Sequence, residues 1–299
     1  MELLAMNSSS GVDVKNESKG QLPPNEGIIT YKRNLTEDLA IIRMQPADGG
    51  DVPSFKAGQF VTLGVKLPEE NKIVYRAYSI SSPPEEKKYY EFYIKWATEP
   101  FPGKITSVIF HLKEDSTILW RKPAGSFTIE DKKPDGTPEF RRMVLVASGT
   151  GLAPFVSYIL HLRNKGTKRQ IILLHGAKYP VELGYRDILQ DLANQANNNS
   201  MWNFKYLATI SRPHHQLSKC WKGRTGRVES LLTKKDNEVA SQLECTAGER
   251  ITKENSFFYI CGYQGTIDAV TKLLHPLGFV SYRNRRKDGT FDIKIESYG

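Results

Sequence analysis

The sequence predicts a two-domain fold, in which an antiparallel β-barrel or sandwich precedes an α/β domain with a mainly parallel sheet. Residues 27 to 130 contain short strand-like segments separated by turn residues, a spacing typical of antiparallel barrels and sandwiches. After the turn-rich segment KKPDGTPEF, continuous apolar strands alternate with helix-like stretches, which favours a parallel sheet. The chain has 299 residues, about twice the length of a typical domain, so the length also favours two domains.

The first domain is expected to span residues 27 to 138 and to contain seven strands. Their segments, in order, are GIITYKRN, LAIIRMQP, QFVTLGVKLP, VYRAYSIS, YYEFYIKWA, STILWRKPAG and SFTIED. Valine, isoleucine and aromatic residues favour the pleated backbone of a strand. In this domain, helix potential is confined to the stretch from Thr106 to Lys113.

The second domain, residues 139 to 299, is expected to begin with the buried strand MVLVAS. A helix is predicted from Pro154 to Arg163, and it is followed by the strand RQIILLHGA and the helix YRDILQDLANQA. The later segments are FKYLATIS, RVESLL, FFYICG, TIDAVTKLL and the final strand TFDIKIES. In such a sheet, nucleotide chemistry is expected at the carboxyl ends of the strands.

The composition is ordinary for a soluble globular protein. No apolar run approaches the ~20 residues needed to cross a bilayer. The first 26 residues lack the features of a secretory signal or transit peptide, and we expect them to form a mobile tail. The net charge of +9 suits acidic proteins or phosphorylated cofactors. Nucleic acid is the alternative, but no basic stripe interleaved with aromatic residues is present, so we expect no nucleic-acid partner.

The cysteines and histidines do not predict a metal site. Cys220, Cys245 and Cys261 lie far apart, in no zinc or iron–sulfur spacing, which suggests a reduced, cytoplasmic protein. His214 and His215 have no third ligand at metal spacing, so we expect an exposed pair in a loop.

Two segments combine glycine with a predicted helix start and therefore suit a phosphate. In SGTGLAPF, Gly149 and Gly151 allow a tight turn and a close approach to a ligand, and Pro154 suits the first helical position. The unpaired N–H groups there can bind a diphosphate. A turn without a ligand is the alternative, because Pro154 replaces the third glycine of the common dinucleotide fingerprint. In PFPGKITS, Gly103 precedes Thr106 at a second helix start, and an N-capped surface helix is the alternative.

A basic segment follows the predicted strand FKYLATIS. Ser211 and Arg212, with Arg224 or Arg227 from the next turn, could clamp a phosphate monoester through a hydroxyl and charge-assisted hydrogen bonds. Such a phosphate distinguishes NADP from NAD. The alternative interpretation is a basic surface loop.

Two predicted strands carry side chains that have more than one interpretation. Arg76 and Tyr78 share one face of the predicted strand, because side chains two positions apart point the same way. A solvated arginine on an edge strand is the alternative. Cys261 stands where the strand FFYICG leaves the sheet, either as a buried structural cysteine or as a small, soft side chain beside a reacting ring.

The motifs occur in the order found in the ferredoxin–NADP reductase family, which the chain resembles from Phe55 to its last residues. They are Arg76-Ala77-Tyr78-Ser79, Gly103-x-x-Thr106, Gly149-Thr150-Gly151-x-Ala153-Pro154, Ser211-Arg212, Cys261-Gly262 and Glu296-Ser297-Tyr298. The resemblance implies an antiparallel Greek-key β-barrel flavin domain followed by a Rossmann-like parallel-sheet α/β nucleotide domain. Plant-type and bacterial features are mixed. In the plant-type pattern the terminal aromatic residue is the last residue of the chain, but here Gly299 follows Tyr298. The segment HGAKYPVELGYRDIL looks more like the bacterial members.

For the first domain, the resemblance implies FAD as cofactor. Arg76 would pair with the diphosphate, Tyr78 would lie against the isoalloxazine ring, and Ser79 would form a hydrogen bond near flavin N5. Ala77 belongs to the same cofactor-binding segment. The diphosphate would also contact Gly103, Lys104, Ile105, Thr106 and Ser107. FMN remains the alternative, because this last motif is the weakest.

For the second domain, the resemblance implies binding of NADP(H). The diphosphate and nicotinamide side would be held by Gly149, Thr150, Gly151, Ala153 and Pro154. The 2′-phosphate would be held by Ser211 and Arg212, helped by Arg224 or Arg227. Cys261, followed by Gly262, would lie beside nicotinamide C4. The implied catalytic residues are Ser79, Cys261, Glu296 and Tyr298, of which Tyr298 would cover the flavin and move to admit nicotinamide.

The implied function is hydride transfer between NADPH and FAD, coupled to single-electron transfer to or from a separate carrier. Without a four-cysteine cluster in the chain, the carrier must be another protein. The basic surface suits an acidic ferredoxin or flavodoxin, and we expect a monomer. One alternative is an NAD(P)H reductase of the same fold that serves an oxygenase, a cytochrome, free flavin or iron. A flavin-binding protein without turnover, or a basic nucleic-acid binder, is an alternative of another class.

Overall fold

The computed structural model describes residues 25–67, 72–96, 103–198, 202–234 and 238–298. The predicted tail, residues 1 to 26, falls outside these ranges except for its last two residues, and Gly299 also falls outside them. The described residues form two six-stranded sheets.

The first sheet is antiparallel and barrel-like, as predicted. Its order is β4-β3-β6-β1-β2-β5. A bridge between Ile80 and Phe92 joins the end of β4 to β5, so the two outer strands of the sheet approach each other. The elements are β1 (Asn25–Thr36), β2 (Leu39–Pro46), β3 (Phe60–Leu67), β4 (Lys72–Ser79), β5 (Tyr90–Lys95), α1 (Lys104–His111) and β6 (Thr117–Trp120).

The second sheet is parallel throughout, as predicted, and helices connect most of its strands. Its order is β10-β9-β8-β7-β11-β12. The elements are β7 (Arg142–Ser148), α2 (Ala153–Asn164), β8 (Ile171–Ala177), α3 (Arg186–Asn198), β9 (Phe204–Ile210), β10 (Arg224–Thr225), α4 (Gln242–Ala247), β11 (Ser256–Gly262), α5 (Gln264–Leu274) and β12 (Ile293–Ser297). The strands are largely buried, which explains their continuous apolar sequences.

Several predicted elements differ from the structure. SFTIED is not a strand, because Phe127 leaves the barrel and is buried against Phe155 and Tyr158 of α2. The helix predicted from Thr106 to Lys113 lies two residues earlier, at Lys104–His111. RVESLL forms a short 3₁₀ turn at Val228–Leu231. Helix α4 was not predicted, although its capping box, Ser241 with Glu244, is a recognisable sequence signal.

A shared apolar core joins the two sheets. Leu39, Ile41 and Tyr93 of the first sheet are buried in one cluster with Met143 and Leu145 of the second. Hydrogen bonds reinforce this contact along α2. Ser157 Oγ donates to Ser82 O at 2.7 Å, and Tyr158 OH donates to Phe127 O at 2.7 Å. The contact fixes the end of β4 close to the carboxyl ends of the parallel strands.

Every helix among the described residues is too short or too polar to traverse a lipid bilayer.

Candidate active site at the junction of the sheets

A hydrogen-bonded cluster forms where β4 of the first sheet meets β11 and β12 of the second. Ser79 Oγ donates to Glu296 Oε2 at 3.1 Å, and Tyr298 OH donates to Ser79 Oγ at 2.6 Å. Cys261 Sγ lies 3.8 Å from the same Glu296 oxygen. The structure therefore brings together all four residues that the sequence analysis singled out as catalytic.

Strand pairing explains how the second domain contributes three of these side chains. Cys261 and Glu296 are register partners on the parallel strands β11 and β12, and Gly262 pairs with Ser297 one position later. Tyr298 follows β12, and its backbone N–H donates to Gly262 O at 3.1 Å. On the barrel side, Ser79 is the last residue of β4.

Burial dominates the electrostatics of the cluster. It raises the pKa of the Glu296 carboxyl to about 7, although hydrogen bonds from Ser79, Cys261 and Tyr298 act in the opposite direction. Burial, followed by the nearby Glu296 carboxylate, raises the pKa of the Cys261 thiol well above its usual value. The pKa of the Tyr298 phenol is also raised, chiefly by burial. Near neutral pH, Glu296 is thus the member of the cluster that can gain or lose a proton.

The turn after β7 approaches the end of β11 so closely that side chains do not fit there. A β-carbon on Gly151 would lie 2.2 Å from Cys261 O, and one on Gly262 would lie 2.1 Å from Ser148 Oγ. The Ser148 hydroxyl is buried without a hydrogen-bond partner among the described residues. Gly149 adopts a positive φ of 55°, which glycine tolerates.

The same turn leads directly into α2, with Pro154 in its first turn. Thr150 lies in the 3₁₀ turn Gly149–Leu152, and Ala153 begins the helix. All five residues of this motif therefore lie at the carboxyl end of β7, beside Cys261, where a helix start favours an anion.

The residues of β4 offer a charged group and a ring on one side of the barrel. Arg76 is exposed, and its Nη1 donates only to the neighbouring Tyr75 O, at 2.9 Å, among the contacts within the described chain. Ala77 is exposed as well. The Tyr78 hydroxyl is buried without a partner among the described residues, and burial raises its pKa. A phenol in this state is a ready hydrogen-bond donor.

Helix α1 lies beside β3 and β4 and brings the second glycine motif to the same side of the barrel. Gly103 precedes the helix, Lys104 begins it, and Ile105 is buried in the barrel core. Thr106 Oγ1 donates to Gly103 O at 3.2 Å, and Ser107 N donates to the same oxygen at 2.9 Å. The first turn of α1 is thus closed by two hydrogen bonds to Gly103 O.

The basic segment lies at the carboxyl edge of β9. Ser211 follows β9 directly, and Arg212 is exposed, with Nη1 donating to Tyr179 OH at 3.0 Å. Arg224 pairs with Thr209 in the short ladder between β10 and β9, and this ladder returns the chain to the same edge. Arg224 and Arg227 are both exposed. The chain fold therefore gathers Ser211 and all three arginines at one edge of the sheet.

The predicted loop histidines are exposed in the structure. His214 and His215 follow Arg212 in this loop, and the His215 ring lies 4.6 Å from the Tyr179 ring. Within the described ranges, no three His, Cys, Asp or Glu side chains are grouped as metal ligands.

Sequence reasoning missed three residues around the site, namely Ser148, Tyr179 and Tyr185. Ser148 stands directly before the glycine turn, so its position at a strand end could have been noticed. Tyr179 is brought to Arg212 by the contact between two loops, which no local pattern reveals. Tyr185 contacts Ser81 and Glu91 of the barrel, which are distant from it in the sequence.

The site fits a flavin and a nicotinamide nucleotide. The partnerless hydroxyls of Tyr78 and Ser148 provide polar atoms that a ligand can satisfy. Gly151 and Gly262 let the turn after β7 pack directly against the end of β11, so this helix start lies beside Cys261. Tyr78 lies on the barrel side of the Ser79–Glu296 cluster, and Ser148 lies with Gly151 and Gly262 on the side of the parallel sheet.

Comparison with known proteins supports this assignment. Residues 26–129 match the oxidoreductase FAD-binding domain, and residues 145–272 match the oxidoreductase NAD-binding domain. A flavodoxin/ferredoxin–NADP reductase of Buchnera aphidicola is 28% identical over 258 residues, which cover 83% of this chain and 90% of that protein. A flavohemoprotein of Bacillus subtilis is 24% identical over 252 residues, covering 84% of this chain. This chain spans only 55% of the flavohemoprotein's length.

A solved structure has the same fold. The ferredoxin NADP⁺ reductase from Neisseria gonorrhoeae, with bound FAD and NADP, matches with a TM-score of 0.71 and 23% identity. The match covers 93% of this chain and 99% of that one. With both domains matched in this order, the chain belongs to the oxidoreductases that join a FAD-binding domain to an NAD-binding domain, and it is similar to ferredoxin–NADP reductases.

Proposed function

We propose that this protein transfers hydride between NADPH and FAD, and single electrons to or from a separate carrier such as ferredoxin or flavodoxin. One observation carries the proposal. Ser79 of the barrel and Cys261, Glu296 and Tyr298 of the parallel sheet form one cluster between two candidate nucleotide sites. A site built from both domains is what a reaction between two bound cofactors requires.

The barrel is the proposed FAD site, and the proposed domain spans residues 27 to 138. Arg76 would neutralise the diphosphate of FAD, and the side chain of Tyr78 would lie against the isoalloxazine ring. Gly103 to Thr106, with Ser107, would hold the diphosphate at the start of α1, where the first N–H groups of a helix have no intrahelical partner. FAD, when bound, supplies the chemistry that joins two-electron and one-electron transfer.

The parallel domain, residues 139 to 299, is the proposed NADP(H) site. The turn from Gly149 to Pro154 would hold the diphosphate. Ser211, Arg212, Arg224 and Arg227 would hold the 2′-phosphate through charge-assisted hydrogen bonds. Cys261 would border the nicotinamide position, because Gly151 and Gly262 allow the turn after β7 to lie directly against the end of β11.

The cluster residues would orient the reacting groups and handle protons. Ser79 Oγ accepts from Tyr298 and donates to Glu296, so its hydroxyl direction is fixed. Glu296, with a pKa of about 7, can hold or release a proton at Oε2. Tyr298, whose OH donates to Ser79 Oγ, would cover the flavin and move aside when nicotinamide enters.

The direct test is to purify the protein, identify any released cofactor by mass spectrometry and follow the visible absorbance under NADPH. We expect FAD and bleaching of its absorbance by NADPH. FMN instead of FAD would correct the cofactor. A colourless protein that takes up no flavin would refute the proposal.

Arg212→Ala is expected to lower kcat/KM for NADPH about ten- to hundredfold, because one charge-assisted hydrogen bond to a phosphate is lost. Turnover with NADH should stay within about twofold. Arg285→Ala is a matched control, because both arginines are exposed and each lies near a tyrosine ring, at 5.8 Å for Arg212 and 5.5 Å for Arg285. An equal loss with NADPH and NADH in Arg212→Ala would remove the 2′-phosphate role.

The proposed carrier is acidic, because the chain has a net charge of +9 and opposite charges steer association. The reduction rate of an acidic ferredoxin or flavodoxin is therefore expected to fall as ionic strength rises. A small uncharged quinone serves as the control acceptor, and its rate should not depend on salt. A flat salt dependence with both acceptors would argue against electrostatic steering.

A second candidate function is an NAD(P)H reductase that serves an oxygenase, a cytochrome, free flavin or iron. The similarity to a flavohemoprotein favours considering it. Turnover with ferredoxin, flavodoxin, cytochrome and ferric complexes, each with NADPH and NADH, separates the two. We further propose a cytoplasmic location, since Cys220, Cys245 and Cys261 are free thiols, and we propose that the protein is a monomer.

A further inference from the structure

Tyr185 has a backbone conformation that tyrosine rarely adopts. It lies immediately before α3, and its φ is 59°. Among the described residues, the other non-glycine residue with positive φ is Asp115, which lies in an exposed turn. Glycine is the usual residue for this region, because a β-carbon clashes there. A tyrosine persists in such a conformation when the surrounding structure holds it there.

The Tyr185 phenol bridges two barrel residues. Its OH donates to Glu91 Oε1 at 2.9 Å and accepts from Ser81 Oγ at 3.0 Å. Its ring packs edge-on against Tyr93 of β5, with centroids 5.6 Å apart. Burial raises the pKa of the phenol well above its usual value, so it stays a neutral donor.

The two residues that Tyr185 binds are tied to the backbone that carries Ser79. Ser81 lies two positions after Ser79, and Ser81 N donates to Glu91 O at 2.8 Å. The other Glu91 carboxylate oxygen accepts from Arg43 Nε at 2.8 Å. The carboxylate is therefore held from both sides, and Tyr185 is its contact from the second domain.

The turn that carries Tyr185 is itself fastened to β5. Gly184 N donates to Tyr93 OH at 3.1 Å, and Tyr93 OH donates to Glu182 O at 2.8 Å. Lys95 pairs with the Glu182 carboxylate at 2.7 Å. A β-carbon on Gly184 would lie 2.6 Å from the Tyr93 ring, so no side chain fits between this turn and Tyr93. On its other side the turn leads into α3, which packs on β9.

We propose that Tyr185 is a positioning residue that fixes the Ser79 segment of the barrel relative to Cys261 and Glu296 of the parallel sheet. The phenol links Ser81 and Glu91 to the start of α3, and so couples the two halves of the site at a residue outside the cluster. This inference rests on the proposed hydride transfer for its catalytic consequence. Its structural content, a rigid Ser79 segment, stands on the contacts alone.

The test compares Tyr185→Phe with Tyr206→Phe in the cofactor-loaded protein. Tyr206 is a matched control, because its OH lies 3.0 Å from His175 Nδ1 and the pair is confined to the parallel sheet. Three quantities are measured: the single-turnover rate of flavin reduction, its deuterium isotope effect with 4-deuterated NADPH, and amide hydrogen exchange at residues 79 to 82. Urea unfolding of both variants reports their stability.

For Tyr185→Phe we expect a reduction rate lower by on the order of tenfold, since small misplacements of reacting groups are costly. KM for NADPH should change less than twofold, the isotope effect should change, and exchange at residues 79 to 82 should accelerate. Tyr206→Phe should alter stability alone. Unchanged exchange and an unchanged isotope effect in Tyr185→Phe would overturn the proposal, whatever its stability. If the wild type shows no flavin reduction, the proposed function fails, and the exchange result decides whether Tyr185 positions the Ser79 segment.

Discussion

Glu296→Gln is expected to lower kcat about a hundredfold and to remove the pH dependence of kcat near neutrality. Glu296 Oε2 accepts from Ser79 and lies beside Cys261, and its pKa is raised to about 7 by burial. Glutamine keeps the shape but cannot take a proton, and a positioned acid or base contributes about 10²- to 10⁴-fold. The measurement is kcat with NADPH between about pH 5.5 and 8.5, a range that extends roughly one and a half pH units on each side of 7.

The same substitution has a signature in stability. The folded-state pKa of Glu296, about 7, exceeds its ordinary value of 4.5, so the folded protein binds the proton more tightly than the unfolded chain. The wild-type free energy of unfolding should therefore decline, relative to Glu296→Gln, as the pH rises from 4.5 to 7, by up to about 3 kcal/mol.

Glu254→Gln is the control for both measurements, because the Glu254 side chain is 70% exposed. Identical pH profiles of kcat in Glu296→Gln and the wild type would show that the carboxyl takes no part in proton handling. A stability difference that is independent of pH would contradict the raised pKa.

Gly151→Ala is expected to destabilise the protein by about 3 kcal/mol and to abolish nucleotide binding. The added β-carbon would lie 2.2 Å from Cys261 O and 2.5 Å from Cys261 C. These atoms belong to the backbone of a fully buried strand, so the strain cannot be relieved by rotating a side chain. Either the turn after β7 or the end of β11 must move, and both border the proposed nicotinamide position.

Urea unfolding and NADPH titration measure these two effects. Gly265→Ala is the matched control, because a β-carbon on Gly265 meets nothing within 4 Å and the residue lies in α5. Alanine favours helix over glycine, so this variant should be neutral or slightly more stable. Wild-type stability and affinity in Gly151→Ala would show that the turn is more adaptable than the contacts imply.

Local pattern was sufficient to predict both sheets. The alternating segments of the barrel and the apolar runs of β7, β8 and β11 are set by burial on one or two faces, which the sequence displays directly. The order of the motifs predicted which side chains share a site. The hydrogen bonds of Ser79, Cys261, Glu296 and Tyr298 agree with that expectation of proximity, while their chemical roles stay predictions.

Features that arise from contact between the domains could not be predicted. SFTIED has the composition of a strand, but Phe127 is buried against Phe155 of α2. Tyr185 combines a positive φ with contacts to Ser81 and Glu91, which lie 104 and 94 positions away in the sequence. The orphaned hydroxyl of Ser148 depends on the approach of β11. None of these is encoded in the neighbouring residues.

The Ser79–Glu296 hydrogen bond joins residues 217 positions apart, which has a consequence for biosynthesis. A nascent polypeptide that still lacks β12 has neither Glu296 nor Tyr298 to close the junction. Long-range contacts of this kind form late, because the loop entropy must be overcome first. The ribosome must therefore synthesise almost the whole chain before the cluster can exist, and a premature stop before Ile293 removes both Glu296 and Tyr298 from the site.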